Sequence, residues 1–235
     1  MPEMNLLVLA IAPGIAICLF IYYKDRYNTE PITNLVISFL LGVLSAIPAV
    51  VIQLLLTKPT EKLLGEGVVY TAFFSFFVVA LSEEGSKFFM LRIYAYRRKA
   101  FDEPLDGIVY AVMVGMGFAT IENVGYVMEH GFATGLVRMF LSVPAHGTFA
   151  VLMGYYTGLA KFNPGKKSFY FFQALCWPVI FHGSFDFFIF LKDVPLLSIG
   201  ALVSFIIALR FSRNAINKHQ ETSRVNHLNH YDSIN

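Results

Sequence analysis

The sequence predicts an all-α, polytopic helical bundle embedded in a membrane. Three observations lead there. Of 235 residues, 56% are hydrophobic and 14% charged, whereas a soluble domain is about 45–50% apolar and about 25% charged. The mean hydropathy is +0.60. The apolar residues also come in long runs, close to the roughly 20 residues a membrane-crossing helix needs, and not in the alternating pattern of a lipid-facing barrel strand. These grounds exclude an ordinary soluble domain, a disordered chain and a nucleic-acid binder. The partner they imply is the lipid bilayer. The net charge of +2 names no other. Cys18 and Cys176 both lie in apolar runs and form neither a disulfide framework nor a metal motif.

Seven segments follow, roughly 5–23, 34–57, 67–92, 106–127, 134–160, 168–191 and 195–211. The first has no basic region before it and no small-x-small site after it, so it reads as a retained span and not a cleaved signal. The second is a plain apolar run. The third carries Glu83, Glu84 and Lys87. The fourth opens at Pro104-Leu105-Asp106-Gly107, where Asp106 reads as an N-cap. Its Ala111, Gly115 and Ala119 line one face, and Gly154 and Gly158 form a G-x-x-x-G on the fifth; small residues at this spacing let membrane helices approach closely. The sixth carries His182 and Asp186. The loop Lys192–Val194 before the seventh is so short that segments six and seven also fit a single re-entrant unit. Residues 1–211 thus form one integral membrane domain. Residues 212–235 are polar without visible periodicity and read as a mobile cytoplasmic tail.

Lysine and arginine set the orientation. With the N-terminus outside, the inner segments hold thirteen: Lys24 and Arg26; Arg92, Arg97, Arg98 and Lys99; Lys161, Lys166 and Lys167; Arg210, Arg213, Lys218 and Arg224. The outer segments hold four, Lys58, Lys62, Arg138 and Lys192, and Lys87 alone falls within a span. The expectation is N-out and C-in.

Ionisable groups inside a span are costly, about 2.5–3.5 kcal/mol each at mid-bilayer on insertion scales. Here they gather. Glu83 and Lys87 are i,i+4 and share a helix face. Glu122 and Asn123 lie on the fourth segment, His146 on the fifth, and His182 and Asp186, again i,i+4, on the sixth. Counted from the inner ends, Glu83 is 15 residues from Arg98, Glu122 is 16 from Asp106, His146 is 14 from Ala160 and His182 is 14 from Ser168. Four segments therefore put an ionisable group at one level, about 21–24 Å in at 1.5 Å per residue. Four carboxylates face one ammonium there. A low-dielectric site holds that imbalance only with protonated carboxyls, charged histidines or a bound cation. Each arrangement suits acid–base chemistry.

The same residues carry a resemblance. Ser82-Glu83-Glu84-Gly85-Ser86-Lys87 fits E-E-x-x-K, Phe118-Ala119-Thr120-Ile121-Glu122-Asn123 fits F-x-x-x-E-N, and His182-Gly183-Ser184-Phe185-Asp186 fits H-x-x-x-D. The stretches Glu103-Pro104-Leu105-Asp106-Gly107-Ile108-Val109-Tyr110 and Asp25-Arg26-Tyr27-Asn28-Thr29-Glu30-Pro31 agree with the same family. Over roughly residues 15–190 the chain resembles the PrsW family of bacterial intramembrane proteases, related to the CAAX prenyl endopeptidases and bacteriocin-processing proteins. The resemblance implies a glutamate-dependent peptidase in the bacterial cytoplasmic membrane. Its substrate would be a single-span membrane protein such as an anti-sigma factor, given a first cut near the extracytoplasmic face. It also implies catalytic roles for Glu83, Glu84, Glu122, His182 and Asp186. Many relatives outside PrsW have histidine where this chain has Glu122. His146 is the candidate to supply that imidazole, which leaves the base open between carboxylate and imidazole.

Hydrolysis needs a base for water, an acid for the leaving amine and donors for the oxyanion. Ser82 and Ser86 have no obvious histidine partner, so direct attack by water is expected. Glu83 is then the base, with Glu84 or Glu122 tuning it or sharing its proton. His146 relays protons, His182 held by Asp186 donates to the oxyanion, and Lys87 and Asn123 support. No resident cofactor is expected, because no H-E-x-x-H or other zinc spacing is present. A divalent metal such as zinc is the alternative, with Glu83, Glu84, Glu122, His146 and His182 as candidate ligands. Two other functional classes fit a buried polar cluster: a proton-coupled carrier, against which the lack of an internal repeat argues, and a non-enzymatic scaffold or immunity protein.

Overall fold

A computed structural model describes residues 2–191 and 198–234. Among these the chain is helical with no strand: α1 (Pro2–Lys24), α2 (Ile32–Leu64), α3 (Val68–Phe73), a π-helical segment (Phe74–Ala80), α4 (Leu81–Ile93), α5 (Pro104–Phe140), α6 (Ser142–Phe162), α7 (Lys167–Phe190) and α8 (Ser198–Ile234). The loop expected at Lys192–Val194 lies outside the described residues.

The bundle is built around α5. Every residue from Leu105 to Thr120 is buried, so this helix is apolar on all sides and enclosed by its neighbours. The outer helices do the reverse. On α2, Leu40, Leu44, Ile47, Val51, Leu54 and Leu55 are all exposed, a surface suited to hydrocarbon and not to water. The chain is a multi-pass membrane protein: Asn5–Lys24, Ile32–Leu64, Val68–Arg97, Pro104–Phe162 and Ile199–Asn229 are each long and apolar enough to cross a membrane. Helix α7 is not among these stretches. Gln173, His182 and Asp186 dilute its 24 residues, so the polar groups that matter most lower its apparent fitness to span.

Small residues join α5 to α6. A Cβ on Gly107 would meet the backbone of Gly154 and Gly158, and one on Gly154 would meet Gly107 and Ile108. The start of α5 is closed by a capping box, in which Glu103 is the N-cap and Asp106 the third helical residue. Asp106 therefore serves this terminus, but from inside the first turn and not as the N-cap the sequence suggested. Its carboxylate accepts the N–H groups of Asp102 and Glu103 at 2.8 and 2.7 Å.

The structure corrects two expectations. The break between the predicted segments 106–127 and 134–160 holds the chain reversal, but as a turn at one residue, and the second segment's first residues are separate from α6. Helix α5 runs to Phe140 and reverses at Gly131 (φ 80°, ψ −165°), a left-handed conformation that glycine adopts at little cost. Residues 132–140 fold back along the bundle before α6 begins at Ser142. The second correction concerns the tail. Helix α8 continues through the expected boundary at 211/212 and on to Ile234. Ser212, Ala215, Ile216, His219 and Ser223 recur at helical spacing and are buried. Ser212 Oγ donates to Thr148 O (2.8 Å) and Gln220 to Lys24 O (2.8 Å). The periodicity is carried by small and polar residues, so hydropathy does not reveal it.

Replacing Gly154 with alanine tests the α5–α6 seam. The added methyl would press on backbone and not on a movable side chain, so Gly154→Ala should cost about 1–3 kcal/mol of stability. Gly125→Ala, with open space around its Cβ, should be neutral. Thermal unfolding of the purified protein in detergent micelles measures both.

Candidate active site

Five elements bring polar groups together inside the bundle. Helix α4 supplies Glu83, Glu84 and Lys87, all buried. The π-helical segment directly before it widens the turn: the N–H of Leu81 donates to Phe76 O, five residues back. Wide turns of this kind often sit beside functional groups because they re-aim the following helix. Helix α7 approaches this segment through Gly183, where a Cβ would come within 2.5–2.9 Å of the Phe76 ring. That contact brings the neighbouring His182 over α4.

Lys87 is the hub. Its ammonium lies 2.8 Å from Glu84 Oε1, 3.5 Å from Glu83 Oε2 and 3.2 Å from His146 Nδ1. The closer carboxylate is Glu84, so the expected pairing of Lys87 with Glu83 is the weaker of the two. Phe118 lies beneath the ammonium, 4.0 Å from its ring centroid. An ammonium has only donors, so His146 Nδ1 must accept. The Nε2 of His146 then carries the proton and donates to Glu122 Oε2 at 2.9 Å. His146 is thus neutral with a defined tautomer. His182 differs. Its Nδ1 faces Glu84 Oε1 at 2.8 Å and its Nε2 faces Asp186 Oδ2 at 3.2 Å. With a carboxylate on each side, the imidazolium form donates to both. The His182 ring also stacks on Phe149, with centroids 5.2 Å apart and planes at 19°.

Two contributors were not foreseen. Arg138, read from sequence as an outer topology charge, is carried back by the reversal at Gly131. One of its terminal nitrogens lies 2.9 Å from Glu122 Oε2, and its Nε donates to Asn123 Oδ1 at 2.9 Å. Asn123 in turn donates to Ala10 O at 2.9 Å, so it ties the Arg138 pair to α1 and does not face the glutamates. Gln53 of α2 donates to Glu83 Oε1 at 3.2 Å. A lone amide in an otherwise apolar run was the signal available for it. Glu122 pairs with His146 and Arg138, and no hydrogen bond joins it to Glu83 among the described residues.

A cavity of about 620 Å³ reaches this cluster, lined among others by Glu83, Glu122, His146, His182 and Asp186. Glu84 is not on its wall. The cavity also touches Phe74, Glu129, Arg138, Ser142 and Phe190. These lie toward the bundle end where α6 starts and α7 finishes.

The family described as PrsW family intramembrane metalloprotease matches residues 30–211. The chain belongs to the PrsW protease family. Proteins named Protease PrsW are similar to it over most of their length. That of Geobacillus kaustophilus is 37% identical over 190 residues, covering 80% of this chain and 81% of the relative. That of Bacillus subtilis is 40% identical over 178 residues (75% and 79%), and that of Clostridioides difficile 35% over 228 residues (94% of each). No solved structure matches. As a PrsW protein the chain is a membrane-embedded peptidase, which sets aside the carrier and scaffold readings.

The family description names a metal, and the residues here fit one. Glu83, Glu84, His146 and His182 each offer a ligand atom within 4.8 Å of the others, all four residues buried; a metal there would take the place of the Lys87 ammonium, which now touches three of them, and would need the His182 nitrogen that faces Glu84 without its proton. Imidazole and carboxylate donors suit zinc. Both histidines rest their far side on a carboxylate, Glu122 or Asp186, as metal-binding histidines commonly do. Of the five candidate ligands read from sequence, Glu122 alone falls outside the set. It stands behind His146.

Arg138 pairs with Glu122, which stands behind His146 in the PrsW site. Arg138→Gln should leave the protein folded but lower turnover about 10–100-fold, the usual penalty for losing a partner behind a working group. Steady-state cleavage by the purified variant tests this.

Proposed function

We propose that this chain is an endopeptidase of the bacterial cytoplasmic membrane that cuts a single-span membrane protein, such as an anti-sigma factor, near its extracytoplasmic face by direct attack of water. The observation that carries the reading is the division between the paired glutamates. Glu83 lines the cavity, and its nearest partners are the Gln53 amide at 3.2 Å and Lys87 at 3.5 Å. Glu84 is off the cavity and bound at 2.8 Å to both Lys87 and His182. Glu83 is the carboxylate with spare proton-accepting capacity beside water, so it serves as the base. Glu84 positions Lys87 and His182. This narrows the sequence reading, in which either Glu84 or Glu122 tuned the base.

Both N–H groups of His182 are taken by Glu84 and Asp186, so it serves an oxyanion only by releasing the longer contact, that of Nε2 with Asp186, toward the cavity. His146, with its proton on Nε2 toward Glu122, offers a relay between the cavity and Glu122. Arg138 holds Glu122 charged at the end of that relay. A divalent metal held by Glu83, Glu84, His146 and His182 would supply a water acidic enough to ionise near neutral pH.

The cut site follows from topology. Seven crossings with the N-terminus outside, as the lysine and arginine bias indicates, place the cavity mouth at Glu129, Arg138 and Ser142 on the outer side. A peptide bond within an intact membrane helix already has its amide groups hydrogen-bonded, so the accessible bond is juxtamembrane. Incubation of the purified protein with a single-span substrate, followed by mass spectrometry of the released fragment, should locate the cut on the extracytoplasmic flank. A cut on the cytoplasmic flank would reverse the orientation.

Glu83→Gln should abolish cleavage, with a loss above about 1,000-fold, at the upper end of what a general base contributes. Insertion and melting temperature should change little, because glutamine still fills the site. Normal turnover in this variant would refute Glu83 as the base. Chelator treatment of the wild type separates the two forms of the chemistry: full activity without metal would leave Glu83 acting alone.

A further inference from the structure

A second cluster of carboxylates lies at the opposite end of the bundle, away from the cavity. Asp25 follows α1, Glu30 precedes α2, and Glu103 and Asp106 open α5. One oxygen from each of Asp25, Glu103 and Asp106 lies within 4.8 Å of the others. The relative exposures are 0% for Asp25, 6% for Glu103 and 0% for Asp106. Part of this acidity is accounted for locally. Asp25 Oδ2 accepts the Glu30 N–H at 3.0 Å, Asp106 Oδ2 accepts the N–H groups of Asp102 and Glu103, and Glu30 accepts the Tyr110 hydroxyl.

The remaining oxygens have no partner. Asp25 Oδ1, Glu103 Oε1 and Asp106 Oδ1 are buried and without a hydrogen bond, and the buried Ser223 Oγ of α8 faces the Glu103 carboxyl. Buried polar atoms are otherwise nearly always satisfied. Among the described residues no lysine or arginine forms an ion pair with any of these carboxylates. Lys161, the nearby base on α6, donates to the carbonyls of Tyr96 and Arg98 at 2.9 and 3.2 Å. Unpartnered oxygens and the lack of a paired cation together mark a site short of positive charge.

We propose that Asp25, Glu103 and Asp106 hold a hard divalent cation, Mg²⁺ or Ca²⁺, distinct from any metal at the catalytic cluster. The donors are all oxygen, with no thiolate or imidazole in the set, which selects this class over zinc. The ion joins the end of α1 to the start of α5 beneath the C-terminal part of α8, where Ser223 and the Gln220 bond to Lys24 O close the site. Its role is to fix this end of the bundle. It takes no part in peptide hydrolysis, so the inference stands independently of the catalytic reading.

The test uses the full-length protein in detergent micelles, carrying Glu83→Gln and Glu84→Gln so that the catalytic cluster contributes no response. MgCl₂ or CaCl₂ added after chelation should raise the melting temperature by roughly 5–10 °C at a hundredfold excess over the dissociation constant. Adding Asp25→Asn or Glu103→Gln should abolish the shift. Either change also removes a like charge, so the metal-free variants should melt no lower than their parent. Electron paramagnetic resonance with Mn²⁺ gives a second readout on the parent alone: one bound ion per chain, displaced by Mg²⁺ or Ca²⁺. No shift with either salt and no bound Mn²⁺ would overturn the proposal and leave the carboxyls held by protons. A shift that persists unchanged in Asp25→Asn would also overturn it.

Discussion

Charge that is removed from water must find charge or hydrogen bonds inside the protein, and Lys87 is where this chain meets that demand. Its ammonium touches Glu83, Glu84 and His146 at once. Each of these groups then passes the requirement on. Glu84 takes His182, His182 takes Asp186, and His146 takes Glu122. Glu122 takes Arg138. The result is a chain of cationic and anionic groups drawn from α4, α5, α6 and α7, with the neutral His146 set between Lys87 and Glu122. Local backbone features serve the same end. The π-helical segment aims α4, Gly183 lets α7 come close, and Gly131 turns the chain so that Arg138 reaches Glu122.

The pairing also explains why two adjacent glutamates do different work. Neighbours on a helix are about 100° apart, so they cannot both face one partner equally. Glu84 points into the cationic hub and is spent there. Glu83 points to the cavity and keeps the amide of Gln53 and longer contacts with Lys87 and His182, at 3.5 and 3.9 Å. A base must be charged yet accessible, and a positioning group must be saturated. One turn of α4 provides both.

Much of this was legible in the sequence because polar groups in long apolar runs stand out. Glu83, Glu84, Lys87, Glu122, His146, His182 and Asp186 were found that way, and counting along the segments placed them at one level before any contact was known. What was not legible has identifiable reasons. Arg138 reads as an outer charge because it follows the break after residue 127, and nothing in the sequence shows that it packs back against Glu122. Gln53 is neutral, so charge counting passes over it. The buried face of α8 beyond residue 211 is made of serine, alanine and histidine, which carry helical periodicity in size and not in hydrophobicity. Asp106 was placed at the right helix start but one role away, since Glu103 and Asp106 share the capping box and spacing alone does not divide it. The tautomer of His146 and the two-sided contact of His182 depend on which atoms meet, and no sequence pattern specifies that.

The same chain of groups constrains how the site can be dissected. Removing one member of a buried ion pair leaves its partner uncompensated and costs about 3–5 kcal/mol, more than the pair itself contributes. An alanine at Glu84 would strand both Lys87 and His182, so its effect would mix folding with chemistry. Glutamine keeps the size and one acceptor while removing the charge, and it separates the two more cleanly. Coupling between members also makes single losses non-additive. Arg138 and Glu122, joined directly, should behave nearly as a unit, whereas Arg138 and Glu84 communicate only through Glu122, His146 and Lys87. The order of contacts from Arg138 to Asp186 is therefore also an order of expected coupling, strongest between neighbours and weakest between the two ends.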